Sequence, residues 1–248
     1  MTSAIIITGS SRGIGAATAH LAGRRGYSVC VNYLSNQAAA EKVVGEIESA
    51  GGKAIAVRAD VAVEAHVKRL FDACEDSLGA PRALVNNAGI LETQMRLESM
   101  SVDRLQRILA ANVVGPFLCS REAVRRMSTK HGGTGGSIVN VSSLAARFGA
   151  PGEYVDYAAS KGALDTMTVG LAKEVAAEGI RVNAVRPGYI YTEMHASGGE
   201  PGRVDRLKDS IPLGRGGRPE EVAEAILWLL SDAASYVTGS FIDIAGGR

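Results

Sequence analysis

The chain alternates short, wholly apolar runs with longer segments of helical periodicity, and that alternation restricts the fold more than any other feature. Ala4-Ile5-Ile6-Ile7-Thr8 is a continuous apolar run, as a parallel strand buried on both faces requires. It stops at Gly9; a helical pattern then runs from about Gly13 to Arg25, with Gly26 as its stop signal. Further strands are expected over 28–33, 53–58, 83–86, 137–141, 180–185 and 241–244. Helices are expected over 36–50, 64–78, 102–127, 154–178 and 219–231, the last with Pro219 at its first position. Strand and helix in strict turn call for right-handed βαβ crossovers, hence an α/β, single-domain, doubly wound parallel sheet with helices on both faces.

A chain of 248 residues suffices for one such domain with a sizeable core, and no composition break marks a second. The formal charge of +1, without basic runs, argues against a nucleic-acid partner. Cys30, Cys74 and Cys119 are odd in number and set in apolar patterns, which reads as buried free thiols. His20, His66, His131 and His195 are too scattered for a metal site. No apolar run reaches membrane-spanning length, and the first strand begins too early for a signal peptide. The expectation is a soluble, cytoplasmic protein without a membrane partner.

Chemistry is concentrated where strands end. Thr8-Gly9-Ser10-Ser11-Arg12-Gly13-Ile14-Gly15 occupies the first strand-to-helix turn, where glycines let the backbone approach a pyrophosphate and the helix N-terminus offers N–H donors. A glycine-rich structural turn is the alternative for that loop alone. The second strand ends at Asn32-Tyr33, without the acidic residue that commonly binds a ribose 2′-hydroxyl, and Arg12 lies in the loop. Either Arg12 pairs with a 2′-phosphate, which favours NADP(H) with NAD(H) still possible, or it is simply a surface arginine. Asp60-Val61 and Asn87-Ala88-Gly89 follow the next two strands, at the ligand-binding edge of an open parallel sheet. Asn112 stands four residues before Pro116, whose missing N–H deprives the Asn112 carbonyl of its usual donor. That pattern fits a bound water and a plain proline kink about equally. Ser142-Ser143 after the fifth strand is a turn pair when taken alone.

Tyr157 and Lys161 are four residues apart in a helical, Ala-rich segment, so their side chains share a face. A phenol with its ordinary pKa near ~10 is a poor acid or base at neutral pH, and an adjacent ammonium favours its ionisation. The pair would then exchange a proton with an alcohol or ketone. By itself the spacing is also that of many solvated helix faces.

In that order along the chain, the Thr8-Gly9-x-x-x-Gly13-x-Gly15 loop, Asn86-Asn87-Ala88-Gly89, Asn112, the serine pair, Tyr157-x-x-x-Lys161 and Arg186-Pro187-Gly188 resemble the short-chain dehydrogenase/reductase family over essentially the whole length. The likeness is greatest to bacterial members grouped with 3-oxoacyl-carrier-protein reductases and glucose dehydrogenases. It implies a seven-stranded Rossmann sheet and hydride transfer between NAD(P) and an alcohol or carbonyl. It implies Tyr157 as general acid/base, Ser143 as the group that orients the substrate oxygen, and Lys161 on the nicotinamide ribose, lowering the Tyr157 pKa. Asn112 would hold a relay water. Cofactor contacts would come from Gly9, Ser11, Arg12, Gly13, Ile14 and Gly15, from Asn32, Tyr33, Asp60 and Val61, and from Asn87, Ala88 and Gly89. Tyr157, Lys161, Pro187, Gly188, Ile190 and Thr192 would complete them. One departure is visible: the segment between Ser143 and Tyr157 is one residue longer than usual, an extra residue expected within 149–155. Residues 192–218, with glycines at 198–199 and 214–217, read as a substrate lid. A homotetramer is implied, paired through the helices over 102–127 and 154–178 and through the last helix and strand. The rival reading, from another class of function, is a catalytically silent NADP-binding regulatory protein.

Overall fold

The computed structural model describes residues 3–248. Seven parallel strands, β1 (Ala4–Ile7), β2 (Ser28–Tyr33), β3 (Lys53–Arg58), β4 (Pro81–Asn86), β5 (Gly136–Val141), β6 (Ile180–Pro187) and β7 (Phe241–Ile244), form one sheet in the order β3-β2-β1-β4-β5-β6-β7. Because successive side chains on a strand point to opposite faces, the apolar run of β1 divides between two cores. Ile5 and Ile7 pack with α1 (Gly13–Arg24), α2 (Gln37–Ser49) and, beyond the site, the helix Pro219–Leu230. Ala4 and Ile6 face α3 (Glu64–Leu78) and the helices that follow it. This explains why the strands are continuously apolar rather than alternating.

The segment 102–127 was expected as one helix. It is α4 (Val102–Leu109), a π-turn over Ala110–Val114, and α5 (Gly115–Met127). The Gly115 N–H bonds to the Ala110 carbonyl, one residue further back than in an α-helix. Pro116, which lacks an N–H, follows at once. The remaining helices are α6 (Ala145–Phe148), α7 (Val155–Val175), α8 (Met194–Ser197), α9 (Arg203–Leu207) and α10 (Pro219–Leu230). Short α6, α8 and α9 were not anticipated from the sequence.

The chain winds outward from β1 through β2 to β3, then returns to start β4 on the other side of β1. The carboxyl ends of β1 and β4 therefore flank the switch point where such sheets bind ligands. No described helix is long and apolar enough to cross a membrane.

Candidate active site

Thr8 ties the two loops at the switch point together. Its hydroxyl oxygen accepts from the N–H groups of Asn87 and Ala88, both at 3.0 Å. The Asn87 amide in turn donates to the carbonyls of Thr8 (2.9 Å) and Gly9 (3.0 Å). Gly9 is left-handed at φ 61°, and a Cβ on Gly15 would lie 2.5 Å from Asn87 Nδ2 and 2.6 Å from the Gly9 carbonyl. Only glycine fits at 15, and the result is a loop drawn tight at the N-terminus of α1. That geometry suits a pyrophosphate.

The end of β2 differs from the expectation of two cofactor contacts there. Asn32 is buried, and its Oδ1 accepts from the Gly9 N–H at 3.0 Å. Its Nδ2 donates to the carbonyls of Val57 and Ala59. Tyr33 is packed into the core with α1 and α2. Both side chains serve the fold, Asn32 by pinning the glycine loop to β2 and β3. Arg12, which caps α1, projects into solvent, and Ser11 beside it is half-buried. Asp60 spends one carboxylate oxygen on the Ala62 N–H, and Val61 packs on Gly115.

Tyr157, Lys161 and Ser143 line a single cavity of about 400 Å³, together with Ile14, Asn87, Pro187, Gly188, Ile190 and Thr192. The Ser143 hydroxyl lines the same cavity as the Tyr157 phenol and opposes the rise of its pKa, and its oxygen accepts from the Ala145 N–H at 3.1 Å. Ser142 is buried away from this position, with its hydroxyl on the Lys161 carbonyl. Within the Ser143–Tyr157 segment Gly149, Ala150 and Gly152 all have positive φ, and Ser143 and Tyr157 line the same cavity. Ala150, at φ 45°, is the one described non-glycine residue in that region.

Lys161 is 3% exposed, and its ammonium donates to the Val141 carbonyl at 2.8 Å. It lies 5.5 Å from the centre of the Tyr157 ring. Burial lowers the Lys161 pKa to about 8, with Asp165 opposing, and raises that of Tyr157 to about 12, with Ser143 opposing. The expected lowering of the Tyr157 pKa by Lys161 is not seen; burial sets the direction of the shift, and the opposing influence comes from Ser143. A phenol held this way keeps its proton at neutral pH and is placed to donate it.

Behind this group Asn112 is fully buried. Its side chain clasps the backbone of Ile90, accepting from the N–H (2.8 Å) and donating to the carbonyl (3.0 Å), and donates to Ser160 Oγ. Gly89 is the neighbour that lets Asn112 and Lys161 approach: a Cβ there would be 3.2 Å from Asn112 Oδ1 and 3.5 Å from Lys161 Nζ. One wall of the cavity escaped the sequence reading except for Arg203 and Leu207, which fall in the segment 192–218 expected over the substrate. Phe148, Tyr154, Tyr189, Arg203, Leu207 and Arg248 form it. They come from four separate segments, so no local spacing could have grouped them.

A doubly wound sheet with a glycine cradle at its switch point and a Ser143-Tyr157-Lys161 group beside it defines a nucleotide-dependent oxidoreductase. The family model described as enoyl-(acyl carrier protein) reductase matches residues 9–248. The chain belongs to the short-chain dehydrogenase/reductase family. It is 63% identical over 243 residues to the uncharacterized oxidoreductase YgfF of Escherichia coli (strain K12), covering 98% of each chain. It is 39% identical to glucose 1-dehydrogenase 2 of Bacillus subtilis (strain 168), over 98% of this chain and 93% of that one. The short-chain dehydrogenase/reductase of Serratia marcescens BCRC 10948 superimposes with a TM-score of 0.91 at 35% identity, covering 99% of this chain and 97% of the other.

Proposed function

We propose that this protein reduces a carbonyl compound, or oxidises the corresponding alcohol, with a nicotinamide cofactor and a preference for NADP(H). The observation that carries this reading is that Ser143, Tyr157 and buried Lys161 line one cavity. The glycine loop fits the cofactor, because left-handed Gly9 and the tight packing that only glycine permits at 15 hold its backbone at the N-terminus of α1. Gly9, Gly13, Ile14 and Gly15 would hold the pyrophosphate side; Asn87, Ala88, Gly89, Pro187, Gly188, Ile190 and Thr192 would line the nicotinamide side; Asp60 and Val61 would border the adenine. The cofactor, when bound, supplies or takes up a hydride.

The chain's own residues handle orientation and the proton. Ser143 orients the substrate oxygen, and Tyr157 donates its phenolic proton to that oxygen as carbonyl becomes alcohol. Lys161 holds the ribose and keeps a positive charge next to the phenol. Asn112 fixes the 89–90 loop against α7 and supports a water that resupplies the proton. Residues 192–218 act as the lid, and the cytoplasm is the expected site of action. A binding-only regulatory protein would have no use for the Ser143-Tyr157-Lys161 group. A steady-state screen of ketones, aldehydes and sugars with NADPH and NADH tests the proposal; no turnover with any reactive carbonyl would refute it.

A homotetramer belongs to the same proposal. Leu109, Val114 and Phe117 lie exposed along α4–α5, and Trp228 is exposed on α10, the apolar surfaces that two such interfaces would cover. Light scattering at micromolar concentration is expected to give about four times the 25.8 kDa chain mass; a monomer would contradict it.

A further inference from the structure

One wall of the substrate cavity is a stack of arginines alternating with aromatic rings. The Arg203 guanidinium lies 5.3 Å from the centre of the Tyr154 ring and 5.5 Å from that of Tyr189. The Arg248 guanidinium lies 4.7 Å from the centre of the Tyr189 ring and 5.9 Å from that of Phe148. All five side chains line the cavity that contains Tyr157. The two arginines differ in electrical state. Arg203 is 5% exposed and paired with both Glu153 and Glu200. Burial works against its charge, and the two carboxylates more than offset that, leaving the guanidinium more basic than usual. Its attraction for a further anion is already spent.

Arg248 is exposed, and among the described residues no Asp or Glu forms an ion pair with it; its guanidinium lies over the two rings. Its backbone is held in place. The preceding residues pack on the base of the lid, where the Leu213 N–H donates to the Gly246 carbonyl at 3.1 Å and Gly247 abuts Pro212. A guanidinium stacked on an aromatic face still presents its N–H edge, the edge that a carboxylate bonds in bidentate fashion. The other cations of the cavity are occupied: Lys161 belongs to the Tyr157 group, and His195 is kept neutral by burial, with Nε2 placed 3.0 Å from the Ile190 carbonyl. Most of the remaining lining is apolar, with Leu91, Leu144, Pro151, Met194 and Leu207 among it.

Resting on the oxidoreductase reading above, we propose that Arg248 selects a substrate carrying a carboxylate on a compact apolar body, at the end remote from the reacting carbonyl. The substrate class is therefore an apolar oxo acid or its hydroxy acid counterpart. In the reductive direction the carbonyl carbon gains a hydride from NADPH or NADH. Its oxygen gains the Tyr157 proton, and the distant carboxylate is unchanged.

The test compares isosteric pairs that differ only in that charge: 4-acetylbenzoate with 4-acetylbenzamide, and 6-oxoheptanoate with 6-oxoheptanamide. Turnover is measured with both cofactors, and binding of the corresponding alcohols to the NADP⁺-saturated protein is measured by calorimetry. The carboxylate of each pair is expected to bind about tenfold or more tightly than the amide, the scale of one charge-assisted contact partly screened by water. Arg248→Gln is expected to erase that difference and the salt dependence of carboxylate binding, and Arg248→Lys to restore only part of it. Thermal midpoint and NADPH affinity of each variant report whether it is folded. Equal or weaker binding of the carboxylates, absence of binding by all four alcohols, or a charge preference that survives Arg248→Gln in folded protein would each overturn the assignment. Turnover of the amides in those cases would leave the oxidoreductase reading standing. Arg248-dependent carboxylate binding without any turnover would support the subsite and count against that reading.

Discussion

Arg104 on α4 and Asp156 in the first turn of α7 form a buried ion pair, with Nε 2.7 Å from Oδ2, immediately beside Tyr157. The arginine is bidentate, its Nη2 reaching Asp156 Oδ1 at 3.3 Å, and its Nη1 donates to the Thr93 carbonyl. Asp156 Oδ1 also accepts from the Tyr157 N–H at 2.9 Å. The pair thus fastens the start of α7 to α4 and to the loop after β4. Its side chains are 3% and 1% exposed, so removing one partner strands a charge in the interior. Asp156→Ala is expected to destabilise the fold by about 3–5 kcal/mol, and Arg104→Met with Asp156→Leu by less than the single change. Urea denaturation of wild type and the two variants checks the ordering; a larger loss in the double variant than in Asp156→Ala would show that the cost is not that of a stranded charge.

The extent of the fold was legible because its signals are local. The limits of β2, β3, α3 and β7 are those expected from the apolar runs and glycine stops. Tyr157 and Lys161 were legible for the same reason, since a spacing of four residues is a statement about one helix. Arg104 and Asp156 are 52 residues apart, and nothing near either one names the other. The same holds for residues 192–218, where Val204 packs on Gly216 and Tyr154 donates to the Gly198 carbonyl at 3.1 Å. Short helices such as α8 and α9 depend on those distant contacts more than on their own periodicity. At Asn32, by contrast, the residue was noticed and the direction of its side chain was not. An amide at a strand end serves a ligand or a neighbouring loop equally well, and only the Gly9 N–H at 3.0 Å decides between them.

Tyr157→Phe removes the phenolic proton while retaining the ring. Cofactor affinity is expected to stay near wild type, and kcat for carbonyl reduction to fall about 10²–10⁴-fold, the usual contribution of a placed acid. Fluorescence titration with NADPH and single-turnover reduction check the two halves separately. A variant that kept wild-type kcat on a reactive carbonyl would remove Tyr157 from the chemistry.

The buried Lys161 predicts two pH effects in one window. Its folded-state pKa of about 8 lies below its ordinary 10.5, so the unfolded chain binds more protons between those values. The burial penalty, about 3 kcal/mol, is therefore fully present below pH 8 and fades as the pH rises toward 10.5. Wild type is expected to gain stability relative to Lys161→Met across that range. Carbonyl reduction should move the other way, with kcat/KM falling above about pH 8 as the ammonium is lost. Tyr157, raised to about 12, keeps its proton throughout. Paired thermal melts and rate profiles from pH 6 to 10.5 check both; a flat rate across pH 8 would detach Lys161 from the reaction.

The proposed preference for NADP(H) makes a prediction about Arg12. With Asn32 turned inward and Tyr33 in the core, the end of β2 places no acidic side chain against a 2′-phosphate. Leu34, Ser35 and Asn36 follow, and all three are exposed and uncharged. A 2′-phosphate carries nearly two negative charges at neutral pH, about −1.5 to −2 for a phosphomonoester. A carboxylate beside it would repel it, whereas a guanidinium forms a charge-assisted pair with it. Arg12 is exposed at the cap of α1, and under the proposed function it would pair with the 2′-phosphate of NADP(H). One exposed contact of that kind contributes roughly 1.5–3 kcal/mol before screening, about one to two decades in binding constant. NADPH should therefore be preferred clearly over NADH, and the preference should shrink as salt screens the pair. Arg12→Ala is expected to weaken NADPH by about tenfold or more and to leave NADH within about twofold of wild type. Dissociation constants for both cofactors at low and high salt decide the matter. Tighter binding of NADH than NADPH by the wild-type protein would reverse this reading of the β2 end without touching Tyr157 or Lys161.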